Sequence, residues 1–448
     1  MYDHRAETMS RDERAALQSD RLRALVDRLL SLGGVQGGRL REAGVESGAD
    51  VDLDDLPKLP MTNKQDLWDH YPLGMLAVSL DDVVAVHGSS GTGGRPTLVG
   101  YTRADLDLWA AMCARSLGCA GATPSSVVHN AYGYGLFTGG LGIHQGAVKL
   151  GAAVVPMSGG MTPRQVRMLV DLQPDILTCT PSYAVRLGEA LYETGVDPDQ
   201  LNLAAGVFGA EPWSEALRTK IEALLPLGAL DIYGLSEVIG PGVATECMEA
   251  QQGLHVNEDH FLVEAVDPLS GEPVPEGTSG ELVFTTPTKE ALPLLRYRSG
   301  DIAALSSGEC RCGRTLVRMS KVLGRYDDML VVRGVNIYPS EVERVLLADG
   351  RVASHYQLVV DRRADASRLL VACEPLGGEP ASEPAGGPVG GLPGGLAGEL
   401  QHALRQELGL TAEVRVLPVG SVPRVEMGKA VRVVNWAEGD PPPVPGLT

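Results

Sequence analysis

From about residue 127 this 448-residue chain alternates short β-rich runs with stretches of helical period, and that alternation restricts its fold more than any other feature. The runs are VVHNA, AAVVPM, DILTCT, LAAGVF and ALDIYG; between them lie GLGIHQGAVKLG, TPRQVRMLVDL and WSEALRTKIEALL. Strands that each lead into a helix need crossovers rather than hairpins, so the pattern predicts a parallel sheet. The strands read as continuous apolar runs, as a sheet covered on both faces requires. Thr162 and Pro163 read as an N-cap and a first helical residue, and Pro174 closes that helix.

After about residue 255 the helical period fades, and segments such as HFLVEAVDPLSGEPVPEGTSGELVFTT predict an antiparallel unit attached to the main domain. A second change comes near Arg325, where MLVVRG, SEVERVLLA, SHYQLVV, RLLVACE, AGELQHALRQELG and AEVRVLP outline an α+β unit. At about 120 residues it is large enough to be a domain of its own. The stretch from about residue 374 to 395 is too rich in Gly and Pro to bury a core and reads as a flexible loop. The predicted architecture is α/β: a large N-terminal domain, residues 1–325, with parallel α/β sheets plus a small antiparallel β unit, then a small α+β C-terminal domain, residues 326–448.

Lys and Arg number 38 against 57 Asp and Glu, a formal net charge of −19, which removes any general attraction to nucleic acid or an anionic membrane. No run reaches the roughly 18 apolar residues that span a bilayer. The N-terminal segment alternates charges with Leu and Val at helical spacing and lacks the apolar core of a signal peptide, so an ordered helix in a soluble, cytoplasmic protein is expected. Seven cysteines, an odd and sparse number, argue against a secreted disulfide framework.

The stretch HGSSGTGGRPTLVGYT, residues 87–102, carries consecutive small residues whose backbone N–H groups can close around phosphate oxygens, with hydroxyls from Ser89, Ser90 and Thr92. It is not a P-loop of the GxxxxGK[ST] form. Further on stand DIYGLSE at 231–237, YRSGD at 297–301, GRYDDMLVVRG at 324–334 and VPRVEMGKAVRV around Lys429. Singly, each has a plain reading: Tyr233 as core, Glu237 and Asp301 as solvated acids, Arg325 as a surface charge, Lys429 as a loop lysine. Together and in this order, with LPMTNKQDLWDHYPLGMLAV, AYGYGLFTGGLG, GAEPWS, GLHVNEDHF and CRCGRT, they resemble the adenylate-forming superfamily, and within it the phenylacetate-CoA ligase family.

That resemblance implies ATP-dependent activation of an aryl or arylacetic acid as an acyl-adenylate, then transfer to coenzyme A with release of AMP and pyrophosphate. It assigns the ATP phosphates to Ser89, Ser90, Gly91, Thr92, Gly93, Gly94 and Arg95. Ala210, Glu211 and Tyr233 would frame adenine, with Asp231, Gly234 and Ser236 in the same nucleotide site. Glu237 would bind Mg²⁺, Asp301 and Arg325 would hold the ribose, and Lys429 would reach the acyl phosphate. The C-terminal domain would be mobile, rotating about a hinge at Asp327 between the two half-reactions. Tyr132, Tyr134 and Phe137, with Gly209 and Pro241, would wall an aromatic acyl pocket. Relatives usually carry Thr and Lys where this chain has Gly93 and Arg95, which keeps a positive charge but changes its shape. An acidic residue near Val148 is also missing.

Cys247, His255, Cys310 and Cys312 offer the four N and S ligands that tetrahedral Zn²⁺ prefers, and the resemblance supports a structural zinc. Three buried cysteines and a hydrogen-bonded histidine would be the plain alternative. Two other functions fit the sequence: adenylation followed by transfer to an acyl carrier protein or an amine, and a weakly active homologue that binds a nucleotide or aryl acid. A homodimer is compatible with the sequence.

Overall fold

The computed structural model describes residues 1–89, 96–326, 329–332, 335–361, 363, 368–376, 395–409, 412–424, 430–437 and 440–444. They form two compact units: Met1–Cys179 with Asp199–Ala210 and Pro226–Val322, and Thr180–Pro198 with Glu211–Leu225 and Leu323–Thr448.

The first unit holds the predicted parallel block. Ala153–Pro156, Val127–Asn130, Ile176–Cys179, Ala205–Gly209 and Gly228–Leu235 lie side by side in that order, each parallel to the next. Ile176–Cys179 and Ala205–Gly209 are buried at every residue, as their unbroken apolar sequence requires. Ala153–Pro156 is the edge strand, half exposed and ending in a proline, which an edge tolerates because one row of its amides has no ladder partner.

Beyond Gly228–Leu235 the sheet continues antiparallel through Gly240–Thr245, Leu254–Val256, Arg318–Met319, Tyr297–Ser306, Ser279–Thr285 and Leu262–Val266. The antiparallel unit expected from the sequence is thus joined to the parallel block strand by strand. Two helices, Arg103–Cys119 and Gly139–Leu150, pack closely because Gly142 and Gly146 have no side chain. A Cβ at Gly142 would lie 2.5 Å from the Trp109 ring, and one at Gly146 would lie 2.4 Å from Cys113 Cβ.

Two local expectations shift. The helix Thr162–Leu172 is capped by Met161 at a φ of 54°, so Thr162 stands inside the first turn and makes no cap. The helix still ends before Pro174, with Gln173 left-handed at a φ of 46°. The N-terminal helix is realised as two, His4–Glu7 and Arg11–Leu32; Ser10 and Glu13 close a capping box on the second, and Leu22, Leu25, Val26, Leu29 and Leu30 bury its inner face.

The second unit is built on a four-stranded sheet in the order Glu413–Val416, Arg368–Pro375, Val352–Asp361, Val433–Trp436, with an antiparallel centre and parallel outer strands. Helices Pro339–Ala348 and Gly395–Leu408 cover one face through Val342, Val345, Leu346, Leu400 and Leu404. Helices Pro181–Glu193 and Glu215–Leu224 belong to the same unit, and a Cβ at Gly188 would meet Leu224 at 2.7 Å. Most of the Gly- and Pro-rich stretch, residues 377–394, lies outside the described residues.

Candidate functional site

In the first unit the strand Gly228–Leu235 delivers the DIYGL residues to the carboxyl end of the parallel block. Asp231 is buried, its backbone N–H donating to Glu246 Oε2 at 2.8 Å. Tyr233 stacks on Phe284, ring centroids 5.8 Å apart, and its hydroxyl donates to Asp301 Oδ2 at 2.7 Å. Asp301 is aimed from its own strand by the Ser299 hydroxyl, which accepts the Asp301 N–H at 3.1 Å. A sequence separation of 68 residues is thereby closed into one pair. Gly234 is required where the ladder slips: a Cβ there would lie 1.9 Å from the Gly240 carbonyl oxygen.

Past Gly234 the chain turns through Ser236 and Glu237. The Ser236 hydroxyl donates to the Gly88 carbonyl at 3.3 Å, and the Tyr101 hydroxyl donates to the Ser236 carbonyl at 3.3 Å. Gly88 ends the strand Ala85–Gly88, which pairs antiparallel with Leu98–Tyr101. The two strands that flank the small-residue segment are therefore paired, and their ends are closed by Ser89 N–H to Thr97 O at 2.9 Å and Thr97 N–H to Ser89 Oγ at 3.1 Å. Ser90, Gly91, Thr92, Gly93, Gly94 and Arg95 lie outside the described residues. Glu237 is 5% exposed, and among the described residues no donor reaches its carboxylate, so the donor set there suits a hard divalent cation.

Sequence reasoning missed Lys289. It is fully buried, its ammonium donates to the Glu237 carbonyl at 2.9 Å, and it lies 5.0 Å from the centre of the Tyr101 ring. Burial pulls its pKa down to about 8 against the opposing pull of the Asp105 and Glu237 carboxylates. Only seven residues of the chain are lysines, and one placed between apolar runs, in TPTKEALP, was the available signal.

The residues expected to wall an acyl pocket fall in different surroundings. Tyr132 is buried in the core with Val128, Val207 and Ile232. The Tyr134 hydroxyl accepts from Asn130 Nδ2 at 2.8 Å and lies 3.1 Å from His144 Nδ1. Phe137 is 52% exposed. Gly209 leaves room for the next strand, since a Cβ would lie 2.1 Å from the Ile232 oxygen, and the Pro241 carbonyl accepts from Trp109 Nε1 at 3.1 Å.

Ala210 has a φ of 72° at the end of its strand. In the second unit, Glu211 accepts backbone N–H groups from Ser182 at 2.8 Å and Ala430 at 2.9 Å. Arg325 is half-buried and follows Gly324, where a Cβ would meet the Tyr338 ring at 2.4 Å. Asp327 and Lys429 lie outside the described residues.

Cys247, His255, Cys310 and Cys312 do converge: one ligand atom from each lies within 4.8 Å of all the others. The Cys247 and Cys310 sulfurs are 3.7 Å apart, and Cys312 Sγ is 3.4 Å from His255 Nε2. A tetrahedral zinc with bonds of about 2.3 Å to sulfur and 2.0 Å to nitrogen sets ligand separations of about 3.5–3.8 Å. Burial raises the Cys312 thiol, but hydrogen bonds from His255 and from Arg314 outweigh it and bring it down to about 5, toward the thiolate a metal needs. Burial and the neighbouring cysteines push Cys247 the other way. Arg314 also joins Glu7 through Nε at 2.6 Å, both side chains buried, which ties the N-terminal helix to the cysteine loop.

The AMP-binding enzyme profile matches residues 27–289, and the AMP-binding enzyme C-terminal domain matches residues 334–436. Phenylacetate-coenzyme A ligase of Thermus thermophilus is 50% identical over 97% of this chain and 99% of its own length; that of Escherichia coli is 46% identical over 96% of each. A solved 2-hydroxyisobutyryl-CoA ligase, in complex with R3-HIB-AMP, superposes with a TM-score of 0.86 at 28% identity, covering 97% of this chain and 92% of that one. No described helix is long and apolar enough to cross a membrane. With both profiles in sequence order and half of all residues shared end to end, this chain is an AMP-binding enzyme and belongs to the phenylacetate-coenzyme A ligase family.

Proposed function

We propose that the chain activates phenylacetate or a close aryl acid with ATP and passes the acyl group to CoA. The observation that carries this reading is the closed strand pair at Ser89 and Thr97, pinned through Gly88 to the Ser236–Glu237 turn beside the Tyr233–Asp301 pair. In the first half-reaction a carboxylate oxygen of the acid attacks the α-phosphorus of ATP. A P–O bond forms as the bridge to the β-phosphorus breaks, and pyrophosphate leaves with the electron pair. The CoA sulfur then attacks the acyl carbon, its proton passes to solvent, and AMP leaves.

Dense negative charge opposes the first step, and fixed donors aimed at it do most of the catalytic work. The segment Ser89 to Arg95 would cradle the phosphates, and Lys429 would meet the charge developing at the α-phosphate. Glu237 would hold Mg²⁺, which when bound offsets phosphate charge. Tyr233, Ala210 and the backbone of Glu211 would frame adenine, while Asp301 and Arg325 take the ribose hydroxyls. Asp231, Gly234 and Ser236 shape the same turn. Tyr134 and Phe137, with Gly209 and Pro241, would face the aromatic ring, and Tyr132 would back them from the core. We place the domain boundary at residues 325 and 326 with its hinge at Asp327.

Cys247, His255, Cys310 and Cys312 would hold one zinc with no position left for substrate, so the ion is structural. Seven free cysteines, three of them in that cluster, fit a reducing, cytoplasmic setting. The deciding experiment is acid-dependent pyrophosphate release over phenylacetates, benzoates, cinnamates and aliphatic acids, with and without CoA. Aryl acids should lead, and CoA should be required for release of AMP. Turnover with a carrier protein or an amine in place of CoA would move the acceptor; linear aliphatic acids outperforming every aryl acid would refute the pocket.

A further inference from the structure

The Glu211 carboxylate has two backbone partners from distant parts of the second unit: Oε1 accepts the Ser182 N–H at 2.8 Å and Oε2 accepts the Ala430 N–H at 2.9 Å. The first contact is a helix cap. Helix Pro181–Glu193 begins with a proline, which has no N–H, and takes no capping bond from the Thr180 side chain. Ser182 thus offers its first orphan amide, and a carboxylate there also meets the positive end of the helix dipole.

The second contact has no such explanation in secondary structure. Ala430 lies ahead of the strand Val433–Trp436 and directly after Lys429. The next two residues are held as well: Gln357 Nε2 donates to the Val431 carbonyl at 3.3 Å, and the Arg432 guanidinium lies 4.2 Å from the centre of the Tyr356 ring and 3.6 Å from Glu343. Glu343 in turn accepts from the Ser214 N–H at 3.0 Å and the Ser214 hydroxyl at 2.8 Å. Of these contacts, the one to Glu211 is made at the residue directly after the lysine.

We propose that Glu211 is a positioning residue for adenylation: its carboxylate fixes the backbone beside Lys429 to the N-terminus of helix Pro181–Glu193. This rests on Lys429 acting in the first half-reaction. Hydrogen bonds to an ionised acceptor are about twice as strong as neutral ones, and a displacement of about 1 Å in a reacting group costs about 10²-fold in rate. One carboxylate serves both amides, so glutamine cannot replace it: the amide has a single oxygen, and its NH₂ would face the second N–H.

The test uses full-length Glu211→Gln and Glu211→Ala beside Lys429→Ala. ATP–pyrophosphate exchange, thioester formation from preformed acyl-adenylate, ATP affinity and Tm are measured for each. Glu211→Gln should slow exchange by about 10- to 10²-fold. Its ATP affinity should stay within about 2-fold and its thioester step within about 3-fold, since neither needs a lysine held in this place. A proportional fall in both half-reactions together with Tm would leave Glu211 a helix cap only and overturn the proposal. Weakened ATP binding with an unchanged exchange rate at saturation would overturn it in favour of a side chain on adenine. If Lys429→Ala spares exchange, the lysine assignment fails and the proposal with it; if Lys429→Ala abolishes exchange while both Glu211 variants keep it, the Glu211 proposal alone fails.

Discussion

One strand, Gly240–Thr245, reaches both of the chemically distinctive regions of the first unit, and they differ in how their polar groups are satisfied. At its start Gly240 and Pro241 pair with Leu235 and Gly234 of the turn proposed to hold the nucleotide. At its end Thr245 pairs with His255, two residues before Cys247. The cysteine end is closed: its four ligand atoms lie within 4.8 Å of one another. The other end, proposed for the nucleotide, is held by its neighbours but presents a buried Glu237 carboxylate that no described donor reaches. A closed set of ligands contributes to stability; an open one is poised for chemistry. Substitutions at the two ends should therefore separate turnover from folding.

The sharpest separation is expected from Lys429→Ala, which should lower adenylation by about 10² or more, roughly 3 kcal/mol of lost transition-state stabilisation, with Tm unchanged. Half-reaction assays check it, and thioester formation from preformed adenylate should change far less. Cys312→Ser should do the reverse: elemental analysis falls from about one zinc per chain to none, and Tm drops by roughly 10 °C, while the folded fraction keeps its turnover. Metal-free wild-type protein with full stability would remove the distinction between the two ends.

Tyr233→Phe deletes the hydroxyl that donates to Asp301 at 2.7 Å. A hydrogen bond to a charged acceptor contributes about 1.5 kcal/mol or more, so KM for ATP should rise roughly 10-fold with little change in KM for the acid. Phe137→Ala should have the smallest effect and the opposite selectivity. Because the ring is 52% exposed, KM for the acid should rise only roughly 3-fold. A larger rise in KM for ATP would take Phe137 out of the acyl pocket.

The parallel block was legible because its signal is local: each strand is an unbroken apolar run and each crossover carries a helical period. The turn at 231–237 had a plain reading on its own and was legible only together with the other motifs in their order. What escaped were facts set by contacts across the chain. Lys289 reads as one more polar residue beside Thr288 and Glu290, and only the packing of Tyr101 and the Glu237 carbonyl over it makes it a buried cation. Glu211 reads as part of GAEPW, and nothing near it in sequence announces Ala430, 219 residues later. The cap of helix Thr162–Leu172 escaped for a different reason: Met161 adopts a left-handed conformation that its side chain does not favour, so propensity pointed to Thr162.

The buried pair of Glu7 and Arg314 also sets an order of events during synthesis. Glu7 leaves the ribosome early, but its partner lies 307 residues downstream. At the usual 5–20 residues per second that is a wait of about 15–60 s. Throughout it, the first helix has neither the guanidinium nor the Thr315 amide that Glu7 engages in the finished fold. The Glu7 contacts are thus among the later ones of the first unit to form, after Asp3 has already met Arg115, and the loop that presents Cys310 and Cys312 arrives in the same moment.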